Sequence, residues 1–195
     1  RFVDLRGMDL SGRNLNDADL SASIFDSCRM IRTQLVRANL FGCDLRGADL
    51  RGAVMVRADL RGACLRGANL SQADLTQADF REGHIAIPHP SKGLDSVRHE
   101  ARNGEVDGVI FAGAKLDGSQ FNGASAFKAD FSDCSMKGAK LTGANLKEAD
   151  LSGAIMEGAD ISGCNLEGAN MAGAVLAGVD TGTAKVSGAN MAGCL

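Results

Sequence analysis

The sequence predicts an all-β solenoid: a four-sided coil of short strands, about eight coils long and interrupted by one inserted loop. Two periodicities and one gap carry that prediction. From Leu5 every fifth residue through Phe80 is Leu, Phe or Met, sixteen positions without an exception, and the rule restarts at Phe111 and runs to Met191. The residue two places before a centre is usually small, as at Ala38, Ala48, Ala58, Cys28, Cys43 and Thr33 in the first block and Ala114, Ala139, Cys134 and Cys164 in the second. Between the blocks the spacing slips, since the thirty-one residues from Phe80 to Phe111 are one more than six repeats.

A period of five excludes the two common elements. At 3.6 residues per turn a helix would smear these side chains around every face, and a flat strand alternates its faces every two residues. A chain that turns a corner every five residues satisfies the pattern, with the small residue and the large centre inward and the other three outward. Four sides then close a coil of twenty residues, stacked on the next at about 4.8 Å. Each buried centre is worth roughly 1.5–3 kcal/mol. Asp or Asn just before the centre, as in Asp19, Asn39, Asp59 and Asp79, is suited to bond backbone donors at the corner. Gly two places after the centre, as in Gly47, Gly52, Gly62 and Gly67, supplies permissive backbone there. Only Ala126 and Thr181 lack a sizeable apolar side chain at a centre of the second block.

Three segments follow: a first stack over 1–80, an insertion over 81–105, and a second stack over 106–195. The insertion holds both prolines and all three histidines. Its part from 92 to 103 reads as a short helix, with Leu94, Val97 and Ala101 on one face and Gly104 as the stop, expected to pack on a solenoid face and to divide the coil into two stacks. Residues 85–90 before it are held extended by their prolines.

Composition bounds the function. A net charge of -3 is too small for a nucleic-acid binder or a strong acidic mimic. Charge is uneven, with eleven Arg, no Lys and ten Asp in 1–80, against six Lys, no Arg and nine acids in 111–195. No run of eighteen apolar residues exists, so no membrane span is expected. The chain begins at Arg1 rather than Met, and no secretory signal is visible.

Few residues are candidates for chemistry. His84, His89 and His99 match no dedicated metal spacing; a solvated loop role is the plainer reading, with metal binding as the other. Cys28, Cys43, Cys134, Cys164 and Cys194 replace the small inward residue, no two of them twenty apart, whereas Cys64 precedes a centre and is expected to be an outward free thiol. That usage fits a reducing compartment and a cytoplasmic location. The aspartates read as corner chemistry, because a convex rod offers no cleft for a carboxylate pair. Outward, Arg46 lies over Arg66, Arg37 over Arg57, and Arg61 over Arg81, with pairing to neighbouring Asp as the plainer reading and anionic-ligand binding as the other. Val36 and Val56 stack beside Val54, and Phe41 projects near the next corner. Together with Arg37, Arg57, Leu94 and Val97, these form the expected interaction surface.

The Ala-Asp-Leu-Arg-Gly repeats and their variants resemble the pentapeptide-repeat family over about 1–80 and 106–195. The resemblance implies a right-handed quadrilateral β-helix and a bacterial source. Among family members are proteins that protect DNA gyrase from quinolones by mimicking DNA, beside many with no assigned activity. The function expected here is a non-catalytic structural or protein-interaction scaffold that presents the outer faces of the rod, with no cofactor and no direct nucleic-acid binding. The alternative is a DNA-mimic binder of a type II topoisomerase. An end-to-end homodimer through the C-terminal coil is expected to cover the apolar layer around Leu176, Val186 and Met191.

Overall fold

Why five residues make one side can be answered donor by donor, taking Ala48 to Gly52 as the example. The Ala48 N–H donates to the Leu45 carbonyl (3.1 Å) and closes a turn; Asp49 donates to Cys28 in the coil before (2.9 Å); Leu50 donates to Asn69 in the coil after (2.7 Å) and Gly52 to Ser71 (3.0 Å). One donor remains, the Arg51 N–H, and the Asp49 side chain accepts it at 3.3 Å. All five donors are used, so buried backbone is satisfied repeat by repeat. The side chain before the centre thus answers the donor that the ladder leaves open, and the corner role expected for Asp19, Asn39, Asp59 and Asp79 is what each performs, bonding the N–H two residues on. At nearly all described corners the third turn residue has positive φ, as Gly52 does at +63°, the conformation of a type II turn, Thr183 being an exception.

The structure, a computed structural model, describes residues 2–89, 93–102 and 104–195, with backbone only for 84–89 and 93–102. Parallel bridges link each residue before a centre to its counterpart twenty residues on, as in Asp4 to Ile24 to Asp44 to Cys64. A turn every five residues and a bridge every twenty define a four-sided β-helix solenoid. The inward residues form one continuous core: every centre from Phe25 to Phe80 and from Val106 to Met171 is buried, as are the small residues opposite, from Ser23 to Ala78. Phe80 stacks on Phe121 at 4.3 Å between centroids and Phe111 on Phe131 at 4.9 Å, the two stacks meeting edge to face.

The insertion does not interrupt this ladder. Cys64 pairs with Glu105, and Asn69, Asp74 and Asp79 pair with Ile110, Lys115 and Gln120, so the coil above the insertion rests directly on the coil below it. The helix expected over 92–103 is not formed. Instead β1 (Gly83–His89) and β2 (Gly93–Arg102) make an antiparallel hairpin, with Ile85 opposite Glu100 and Ile87 opposite Arg98; Lys92 and Asn103 lie outside the described residues. The reason is partnership. A lone helix of some twelve residues is marginal, about the shortest that persists in water, and it would leave the extended, β-branched Ile85 to Ile87 stretch without backbone partners, whereas the hairpin satisfies both segments at once. Among the described residues there is no helix.

Two glycines take the chain off the rod and back. A Cβ on buried Gly83 would lie 2.9 Å from Cε2 of Phe41 and 3.0 Å from the Arg61 carbonyl oxygen, and one on Gly104 would overlap the Phe80 carbonyl oxygen.

Candidate functional site

Many of the carboxylates are occupied by the fold. Where the repeat reads Asp-Leu-Arg-Gly or Asp-Phe-Arg, the arginine forks back onto the Asp two residues earlier: Arg6 on Asp4, Arg46 on Asp44, Arg51 on Asp49, Arg61 on Asp59 and Arg81 on Asp79, at 2.5–2.7 Å. The Arg51 hydrogen bonds hold the Asp49 carboxyl below the usual carboxylate range. At Asp59 burial pushes the other way, but the bonds from the Arg61 side chain and backbone outweigh it. In the second block Lys128, Lys137 and Lys147 reach Glu148, Glu157 and Glu167 one coil away, at 2.9–3.4 Å. Arg66, expected beneath a basic stripe, pairs with Glu105 at 3.1 Å.

The thiols divide as their positions dictate. Cys28, Cys43, Cys134 and Cys164 are buried, and each Sγ donates to the carbonyl of a centre twenty-three residues earlier, at 2.8–3.0 Å. Burial pushes the Cys43 and Cys134 thiols up to about 12 and that of Cys164 to about 11. Cys64 is half-buried, outward and free, as its position predicts; burial raises its pKa, and Glu105, which accepts its Sγ hydrogen bond at 3.3 Å, raises it further. No group of His, Cys, Asp and Glu among the described residues could hold a metal. The side chains of His84, His89 and His99 lie outside those described.

Of the expected interaction surface, the structure brings five residues to one side of the square. Val36 and Val56 occupy the same corner in neighbouring coils, joined by the Arg37 N–H to the Val56 carbonyl (2.9 Å), with Arg37 and Arg57 next to them. Val54 sits on the adjoining strand, bridged to Gln34 and Asp74. All three valines are half-buried. Arg37 forks onto Asp17 at 2.6 and 2.7 Å, and Arg57 donates from Nε to Gln77 Oε1 at 2.7 Å. Phe41 stands apart, at the next corner, with the Arg61 guanidinium 5.6 Å from its ring and Gly83 against its edge. It therefore packs the hairpin onto the rod. Leu94 and Val97 lie on β2, with side chains outside those described.

The same side holds a feature that the sequence reading missed. Eight non-glycine residues of the first block have the positive φ that glycine takes at other corners, and six of them, Asp17, Arg32, Arg37, Arg57, Gln72 and Gln77, border this one side. A left-handed conformation costs an L residue about 1–2 kcal/mol. The signal was available in the sequence as the missing glycine two places after these centres. Arg32, Arg51 and Gln72, with Ile31 and Gly52, also line a shallow groove of about 310 Å³.

Comparison with known proteins agrees with this architecture. A family model described as pentapeptide repeats, in eight copies, matches residues 4–42, 33–72, 43–81, 107–143, 129–168 and 154–195. Among solved structures, HetL, a pentapeptide-repeat protein involved in heterocyst differentiation regulation from the cyanobacterium Nostoc sp. strain PCC 7120, aligns at 25% identity over 98% of this chain and 84% of its own, with a TM-score of 0.54. A trypsin-treated variant of QnrB1, a plasmid-mediated fluoroquinolone resistance protein, aligns at 17% identity over 96% and 89%, with a TM-score of 0.58; the full-length QnrB1 aligns at 16% over 99% and 93%, with a TM-score of 0.52. No curated protein matched. With the repeat model covering both blocks and the ladder running through them, this chain belongs to the pentapeptide-repeat family.

Proposed function

We propose that the protein is a non-catalytic scaffold: a right-handed rod of about eight coils that works in the cytoplasm by presenting its outer faces to another protein. One observation carries this reading. The side bearing Val36, Val54, Val56, Arg37 and Arg57 keeps side chains at turn positions where glycine would be less strained, which a purely structural face has no reason to do. The rest of the chemistry supports a scaffold: carboxylates are engaged in turns, and thiols in the core are held protonated. Phe41 supports the same reading indirectly, by seating the hairpin that carries Leu94 and Val97. Pairing of two copies through the last coil, where Val186 and Met191 are exposed, belongs to this reading; light scattering should give twice the mass of one chain, and Met191→Lys the mass of one.

The test uses affinity capture with the purified chain. A partner retained by the wild type should be lost with Val36→Glu/Val56→Glu and kept with Asn122→Glu on another side; equal loss in both, or none in either, would refute the assigned face. DNA mimicry, the other reading that the family resemblance brings, requires a long run of uncompensated carboxylates. Here Asp44, Asp49, Asp59 and Asp79 are each covered by a guanidinium. Gyrase supercoiling is therefore expected to proceed unchanged with the protein in excess, and inhibition or quinolone protection would reverse the choice.

A further inference from the structure

We propose that this side of the rod, from the turn at 31–32 to the turn at 36–37 and its counterparts in the adjoining coils, docks an acidic, partly apolar segment of the partner protein. The inference rests on the scaffold reading and adds the chemistry of what is bound.

Its basis is an imbalance of charge confined to one place. Among the described arginines up to residue 81, Arg6, Arg29, Arg37, Arg46, Arg51, Arg61, Arg66 and Arg81 all have a carboxylate oxygen at 2.5–3.3 Å. Three have none: Arg13, Arg32 and Arg57. Arg13 occupies the inward column of the first coil, in line with Thr33 and Ala53, whereas Arg32 and Arg57 are exposed at the two corners of this side. Over the first-block coils two carboxylates share it, Asp17, engaged by Arg37, and Asp74, which accepts from the Thr76 N–H and hydroxyl. Arg57 spends its Nε on the neutral Gln77 and keeps its terminal nitrogens for something else.

A guanidinium presents a rigid fork that fits a carboxylate in two parallel bonds. Here the unanswered forks stand beside half-buried Ile31, Val36, Val54 and Val56 and over the groove between Arg32, Arg51 and Gln72. That mixture suits acids interspersed with aliphatic residues. It suits nucleic acid less well, because over the first-block coils this side carries no aromatic ring for a base to stack on, and its one lysine, Lys115, stands a coil further on, bridged to Asp74. Backbone conformation adds an independent argument: Arg32 and Arg57 hold φ of +54° and +58°, so glycine at either position would relax the chain, and the guanidinium is what glycine would forfeit.

That last point supplies a test in which loss of binding cannot be mistaken for unfolding. The probe is a fluorescein-labelled peptide of Asp, Glu and Leu, read by anisotropy, beside the same peptide with Asn and Gln in place of its acids. The wild type should bind the acidic probe saturably, less tightly as salt is raised, and ignore the amide probe. Arg32→Gly/Arg57→Gly should keep or raise the Tm and weaken binding by about tenfold or more, while Arg6→Gln/Arg46→Gln, on another side, should change it by less than about twofold. Equal binding of the two peptides, no binding by the wild type, equal loss in the control variant, or tighter binding of duplex DNA at the same salt would each overturn the proposal. The scaffold reading fails separately: a partner captured through Val36 and Val56 but indifferent to Arg32→Gly/Arg57→Gly sinks this inference and leaves that one standing.

Discussion

Leu60 and Arg61 are neighbours in sequence and opposites in energy. Leu60 is fully buried between counterparts in the coils above and below, so Leu60→Ala removes methyl groups from a site that cannot collapse and should cost about 2–5 kcal/mol. Arg61 is a half-buried fork on Asp59 whose guanidinium stays at the surface, and Arg61→Gln should cost about 1 kcal/mol. Urea unfolding of the two variants measures the contrast; similar losses would mean the inward register is wrong. The same inward rule was legible for the cysteines, because a small thiol can replace Ala in a fixed column. What the sequence could not disclose was Cys64's neighbour, since Glu105 lies forty-one residues away across a gap of unknown shape. That neighbour sets the reactivity: with wild-type protein a thiol reagent should modify Cys64 slowly at neutral pH, and Glu105→Gln should speed it, by removing the charge that opposes the thiolate. An unchanged rate would show that burial alone governs this thiol.

At the level of the element, the slip of one residue between the blocks was visible, and its meaning was not. Leu94, Val97 and Ala101 match a helical stripe, but a stripe says nothing about whether the preceding segment has a partner, and pairing with β1 decided the outcome. The ladder reveals what the slip was: Cys64 meets Glu105 where a twenty-residue step was due, so the excursion adds twenty-one residues. Deleting residues 83–103, twenty-one in all, should therefore restore an unbroken coil with the β signal intact and the Tm within a few degrees, whereas deleting one residue more should turn inward side chains outward and unfold the following coils. Circular dichroism and thermal melts distinguish these outcomes. Gly104→Ala should be severely destabilising, because the added methyl meets the Phe80 carbonyl, and a variant as stable as the wild type would show that the chain re-enters elsewhere.

Across the whole molecule, the paired carboxylates recur coil after coil, and their effects sum. Asp49 and Asp59 have folded-state pKa values below the ordinary one, so the stability they contribute is complete above the unfolded value of about 4 and is lost as pH falls through the folded values. Thermal melts should hold their midpoint from pH 7 to about 5 and drop below about 4; Arg51→Gln/Arg61→Gln should shallow the drop, and an undiminished drop would assign acid sensitivity to other groups. The rod itself was legible at this scale because its period repeats thirty times and more. The partner surface was legible only in part: Val36, Val56, Arg37 and Arg57 could be stacked by counting twenties, but whether a guanidinium is answered depends on rotamers and neighbours, which no period encodes. The ladder also fixes how the molecule would yield to force. Drawn out from an end, a coil of twenty residues releases about 70 Å of chain as it peels. The coil that carries the hairpin spans forty-one residues between paired positions, so its release is about 140 Å, and an extension trace would count off equal steps with one double step among them, a ruler with a single long division that marks where along the rod the pull has arrived.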